Sequence, residues 1–141
     1  MKKIVAIAAI LLASLATAGS ASAQDHAAKA NIPFGFYVEN KWIPAGSYTL
    51  TSNSTNPDVI AIRNGDSKVS LLSVGHTEDA VAGSHALVFE KIGEDYFLRE
   101  IRCPKCRMDV AFTESKREKA DRNQTREASN APVSLVYLAL K

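Results

Sequence analysis

An all-β domain is the class this sequence predicts. It should be mainly antiparallel, with about seven strands in a small barrel or curled sandwich and one charged surface helix before the last strand. Three observations carry that expectation. Apolar and polar residues alternate with a period of two through most segments beyond residue 30, the mark of strands with one buried face. Turn signals such as Pro44-Ala45-Gly46, Asn64-Gly65 and Gly93-Glu94-Asp95 separate those segments at short intervals, which favours antiparallel neighbours. The stretch 113–128 has no Gly or Pro and is dense in Lys, Arg and Glu, as a solvated helix would be.

The first strand is read over residues 30–38, where Ala30, Ile32, Phe34, Phe36 and Val38 share one face. Pro33 cannot donate a ladder hydrogen bond, so this strand is expected at an edge or starting late. Asn40-Lys41 turns the chain, and Ile43-Pro44-Ala45-Gly46 fits a type I turn. Tyr48 and Leu50 then alternate with Ser47, Thr49 and Thr51 in a second strand. A polar loop over 52–57 leads to a third strand, 59–63. Asn64-Gly65 predicts a type I′ hairpin into a fourth, 68–74. After a longer polar loop, 75–84, residues 85–92 and 96–102 form a second hairpin, and 103–112 read as irregular.

Ser115-Lys116-Arg117-Glu118 is a capping box, so it marks the start of the helix. That helix has few apolar residues beyond Ala120 and Ala128. It is expected to be solvated or weakly held, with Glu118 and Arg122 as an i,i+4 ion pair. Asn130-Ala131-Pro132 ends it. Residues 133–140 are apolar on both faces, which predicts a central or closing strand. The expected core includes Ile32, Phe34, Phe36, Val38, Tyr48, Leu50 and Leu135.

Lys2 and Lys3, the apolar run over 4–18 and Ala21-Ser22-Ala23 together compose an export signal, with cleavage after Ala23. The apolar run is shorter than the roughly 20 residues that span a bilayer. The expected organisation is a signal peptide over 1–23, a flexible leader over 24–29 and a single β-rich domain over 30–141. Its destination is the periplasm or the extracellular medium, where disulfides persist, and no membrane span remains after cleavage. The 141 residues are 46% apolar and 23% charged, an ordinary globular balance. Lys2 and Lys3 account for the whole formal charge of +2, so the rest carries 15 Lys and Arg against 15 Asp and Glu. That neutrality argues against nucleic acid as a partner. Residues 99–126 hold nine Lys and Arg against five Asp and Glu, an excess that could steer an acidic partner such as an envelope glycan.

The run 30–50 (ANIPFGFYVENKWIPAGSYTL) resembles the opening of a family of small exported β-rich bacterial proteins. The pattern falls on Ile32, Pro33, Phe34, Phe36, Val38, Ile43, Pro44, Ala45, Gly46 and Tyr48. The run 87–101 is similar to that family's second hairpin, and so are the charged segment 115–127 and the apolar strand after it. The resemblance implies an exported β-rich domain. It implies no reaction and carries over no catalytic residue.

Cys103-Pro104-Lys105-Cys106 is the sharpest chemical motif. Two thiols at this spacing can join in a disulfide, exchange disulfides or share a metal. Exchange enzymes set such a pair at the start of a helix, whereas here the expected helix begins well downstream. A local disulfide, or a free surface pair without catalytic role, is therefore expected. Zinc needs four ligands, and His76 and His85 are the candidates to join Cys103 and Cys106. Haem attachment would need His where Arg107 stands. His76, Glu78, Asp79 and His85 put ligand-type side chains on one polar loop. Trp42 and Tyr48 flank the Pro-Ala-Gly turn and could offer an aromatic contact surface. The sequence shows no nucleophile elbow and no Gly-rich phosphate loop, and no cofactor is expected. The reading is a non-catalytic exported β-module that binds an envelope component or small ligand, or serves a structural role. The alternative is a thiol-redox or zinc-binding protein built on Cys103 and Cys106.

Overall fold

A computed structural model describes residues 26–53, 55–66, 69–77, 85–128 and 133–141. The expected export signal and cleavage point lie outside the described residues. Among the described residues, eleven strand segments form two sheets packed as a curled sandwich. Sheet A takes β1 (Ala27–Ile32), β4 (Gly46–Ser52), β5 (Val59–Asn64) and β6 (Val69–Val74), in the order β1-β4-β5-β6, with every pair antiparallel. Sheet B runs β11 (Ser134–Ala139), β8 (Ala86–Ile92), β9 (Asp95–Cys103), β10 (Met108–Ala111) and β7 (His76–Thr77). The short β2 (Phe36–Val38) lies parallel to the first half of β9 through Tyr37 and Phe97, and β3 (Lys41–Ile43) pairs with β2.

The period-two pattern from residue 30 to 38 is one face but two strands. β1 belongs to sheet A and β2 to sheet B, and the chain crosses between them at Pro33-Phe34-Gly35. Pro33 therefore sits in the crossing, where no ladder bond is needed. β1 also begins earlier than expected. Ala27, Ala28 and Lys29, assigned from sequence to the flexible leader, pair with Thr51, Leu50 and Thr49. The Pro44-Ala45 turn crosses back to sheet A, and the buried Tyr48 ties it down by donating its hydroxyl to the Pro44 carbonyl at 2.6 Å.

The core lies between the sheets. Ile32, Phe36, Val38, Tyr48 and Leu50 are buried as expected. Phe36 meets Tyr48 and Phe89 edge-on at 5.7 and 5.3 Å. Phe34 is only half-buried. It lies at the crossing, stacked on Tyr96 at 3.9 Å and edge-on to Phe89. Leu135 corrects the expected core, because it is 54% exposed. β11 is an edge strand, and it turns Val136 and Leu138 inward instead.

Two further expectations change. Asn64-Gly65 does make a hairpin, but Asn64 pairs with Val69, so four residues connect the strands. Asn64 stays in β5 and its side-chain oxygen accepts the Asp66 N–H at 2.8 Å. The supposedly irregular stretch 103–112 holds a 3₁₀ turn, Pro104–Cys106, and then β10, paired with β9 from Cys103↔Met108 to Glu100↔Ala111.

The helix α1 (Lys116–Ala128) starts as the capping box predicts. Ser115 Oγ accepts the Glu118 N–H at 3.1 Å, and Glu118 accepts the Ser115 N–H at 3.2 Å. Its docking differs from a solvated helix. A register shift between Val88 and Phe89 lets Leu98 and Ile101 both face the core, which puts Arg99 and Glu100 together on the outer side of sheet B. Arg99 reaches Glu118 at 3.3 Å and Glu90 at 3.5 Å. Arg122 bonds Glu90 at 3.0 Å and Glu114 at 2.8 Å rather than the expected Glu118. Arg117 covers the Tyr37 ring at 4.3 Å, and Tyr37 in turn stacks on the buried Phe97. A helix without an apolar stripe is thus held on sheet B by cations and carboxylates. None of the described helices is long and apolar enough to cross a membrane.

Candidate functional site

The β9–β10 turn positions both cysteines. β9 delivers Cys103 with its side chain toward the core. Pro104 then starts a 3₁₀ turn whose Arg107 N–H returns to the Pro104 carbonyl at 3.1 Å. Arg107 takes φ 52°, the left-handed conformation that sends the chain back along β10. Cys103 and Cys106 are joined in a disulfide across this turn, with Cα atoms 5.1 Å apart. Cys103 is buried, whereas Cys106 is half-buried between the exposed Lys105 and Arg107.

His85 reaches the same corner from β8. Its carbonyl accepts the Leu140 N–H at 3.1 Å, and Ala86 pairs with Arg102, so the residue before it stands beside Cys103. His85 Nδ1 lies 3.6 Å from Cys103 Sγ. Asp109, on β10 opposite Arg102, completes the cluster. Burial pushes its carboxyl up, against the opposing pull of the Cys103 amide and the nearby His85. One of its oxygens, Oδ1, is buried without a hydrogen-bond partner. The corner therefore sets an electrophilic sulfur pair beside an imidazole and a half-buried carboxyl. Sequence reasoning found three of the four. Asp109 was missed because it sat in the stretch read as irregular, where its alternation with Met108 and Val110 was the available signal.

His76 does not join this group. It lies on β7, bonded to Thr113 at 3.2 Å, with β9 and β10 between it and the strand that follows His85. Glu78 and Asp79 lie outside the described residues. Among the described residues no three His, Cys, Asp or Glu side chains are grouped to hold a metal ion. Trp42 and Tyr48 do not form one surface, since Trp42 is 56% exposed and Tyr48 is buried. Trp42 instead lies over Gly35, where a Cβ would come within 2.9 Å of the indole.

A second feature escaped sequence reasoning altogether. The outer face of sheet A carries an open groove of about 340 Å³. Lys29 and Asn31 of β1, Ser47 and Thr49 of β4, Asp66 of the β5–β6 connection and Lys141 line it. Ser47 Oγ donates to Asn31 Oδ1 at 3.4 Å across its floor. These are the outward residues of alternating strands, so sequence marked them only as solvent-facing. Strand pairing is what gathers them with Lys141. Comparisons with protein-family models, with curated proteins and with solved structures return no match to this chain.

Proposed function

We propose that this protein is an exported, non-catalytic β-sandwich module that binds a hydroxyl-rich, acidic glycan segment of the cell envelope in the groove on sheet A. The groove's lining carries the reading. Ser47, Thr49 and Asn31 supply donors and acceptors on a rigid ladder, and Lys29 and Lys141 add positive charge at one side. A polyhydroxylated acid uses both kinds of contact, whereas an apolar ligand would leave those groups unpaired. The signal-like residues 1–23 support delivery to the periplasm or the medium, and the resemblance of 30–50 to exported β-rich proteins agrees with it.

The test has two arms. Protein recovered from the exported fraction should begin at Gln24 by mass spectrometry, and an exported product still beginning at Met1 counts against the signal. Titration with a uronic-acid oligosaccharide should shift the NMR signals of Asn31, Ser47 and Thr49. Lys29→Glu should weaken that binding by about tenfold or more, the loss of one charge-assisted contact. Equal binding by the variant, or shifts confined elsewhere, would remove the groove as the site.

A further inference from the structure

We propose that the Cys103–Cys106 disulfide is a thiol–disulfide exchange site whose partner is a low-molecular-weight anionic thiol, with His85 protonating the leaving Cys103 sulfur. This lies beyond the binding reading and uses a different surface, the β9–β10 turn.

The asymmetry of the pair sets the direction of attack. Cys106 is the more accessible residue of the pair and stands between Lys105 and Arg107, two exposed cations that would draw in an anionic thiolate. Cys103 is 2% exposed, so its sulfur is the shielded one. The incoming thiolate attacks Cys106 Sγ, and the protein S–S bond breaks as the new S–S bond forms. The electron pair leaves with Cys103 Sγ, which takes a proton from the His85 imidazolium at 3.6 Å. His85 regains that proton from solvent. A second thiolate attacks the external sulfur of the mixed disulfide and releases Cys106 as a thiolate. Two thiols are thereby oxidised to one disulfide, and the protein pair is reduced to two thiols. Asp109 is the carboxyl that faces His85, while Arg102, opposite Asp109 on β9, is held by Glu100.

The experiment uses the oxidised full-length protein as exported, with reduced glutathione as the anionic probe and cysteamine as a cationic control. Acid-quenched intact mass, followed by peptide mapping, reads the rate and position of mixed-disulfide formation. Glutathione should attach at Cys106 and outpace cysteamine, and that preference should disappear in Lys105→Glu, Arg107→Glu. His85→Ala and the similarly sized His85→Gln should each slow the reaction by about a hundredfold, at the low end of what a positioned proton donor contributes. A misfolded variant would expose the disulfide and react faster, so the direction separates the two effects. Attachment at Cys103, no mixed disulfide with either thiol, or an unchanged rate in both His85 variants would overturn the proposal.

Discussion

Glu118 shows how one side chain can be legible in sequence for one task and hidden for another. Its place three residues after Ser115 announces a capping box, and the two reciprocal hydrogen bonds are there. Its partner across the sheet, Arg99, is invisible from spacing, because only the displaced register of β8 and β9 turns Arg99 outward beneath the helix. The same side chain yields a pH prediction. Burial is the largest influence on Glu118 and raises its carboxyl above the ordinary 4.5, with Glu90 and Glu114 adding to the rise against Arg99 and the Ser115 amide. A carboxyl raised on folding binds its proton more tightly in the folded chain than in the unfolded one. Its contribution to stability is fullest below about pH 4.5 and is lost as pH rises through the folded-state value. Gln keeps the capping geometry without the titration. Urea midpoints should therefore fall more between about pH 4 and pH 7 in the wild type than in Glu118→Gln. A smaller fall in the wild type would mean that the ion pair with Arg99 outweighs burial. Leu135 teaches the complementary lesson. A strand apolar on both faces gives no phase, so its inward set, Val136 and Leu138, could be fixed only by pairing with β8.

At the scale of elements, the long strands were legible, whereas the short β3, β7 and β10 and the crossings between sheets were not. A strand that passes from one sheet of a sandwich to the facing one keeps the same side toward the core. Its alternation therefore runs on unbroken while its partners change. β1 and β2 hide their crossing at Pro33-Phe34-Gly35 in this way, and β6 and β7 hide theirs at Gly75. Gly75 donates its N–H to the Asp58 carbonyl at 2.9 Å. A Cβ there would overlap Val110 Cγ1 and stand 2.8 Å from the Ala111 carbonyl oxygen. Backbone cannot give way as a flexible side-chain end can. Gly75→Ala should cost about 1–3 kcal/mol in denaturant melts, as overpacking does. A change within about 0.5 kcal/mol, normal for a surface site, would show that the corner is loose. The disulfide corner follows the same logic. Cys103, Cys106 and His85 stood out by residue type, but their meeting depends on β8 lying beside β9, and Asp109 needed the unrecognised β10.

Over the whole molecule, the two candidate surfaces use different parts of the sandwich, the outer face of sheet A for the groove and the β9–β10 turn of sheet B for the disulfide. Among the described residues, a reciprocal backbone pair joins the sheets on the β1 side. Lys29 N–H donates to the Lys141 carbonyl at 3.0 Å, and Lys141 N–H donates to the Lys29 carbonyl at 2.9 Å. Removing residues 140 and 141 should raise the unfolding rate in stopped-flow measurements and leave the folding rate nearly unchanged, the behaviour of contacts made after the transition state. A comparable slowing of folding would place this seam in the nucleus instead. The hairpins β4–β5, β5–β6 and β8–β9 pair residues close in sequence and can form as the chain emerges, whereas this pair spans almost the entire domain. For a chain delivered lengthwise through a channel, the last rung of the sandwich cannot close until residue 141 is free. If this chain is exported as proposed, transport and the completion of folding are consecutive events, and a partly delivered chain stays open along the β1 edge and can still be unravelled from behind.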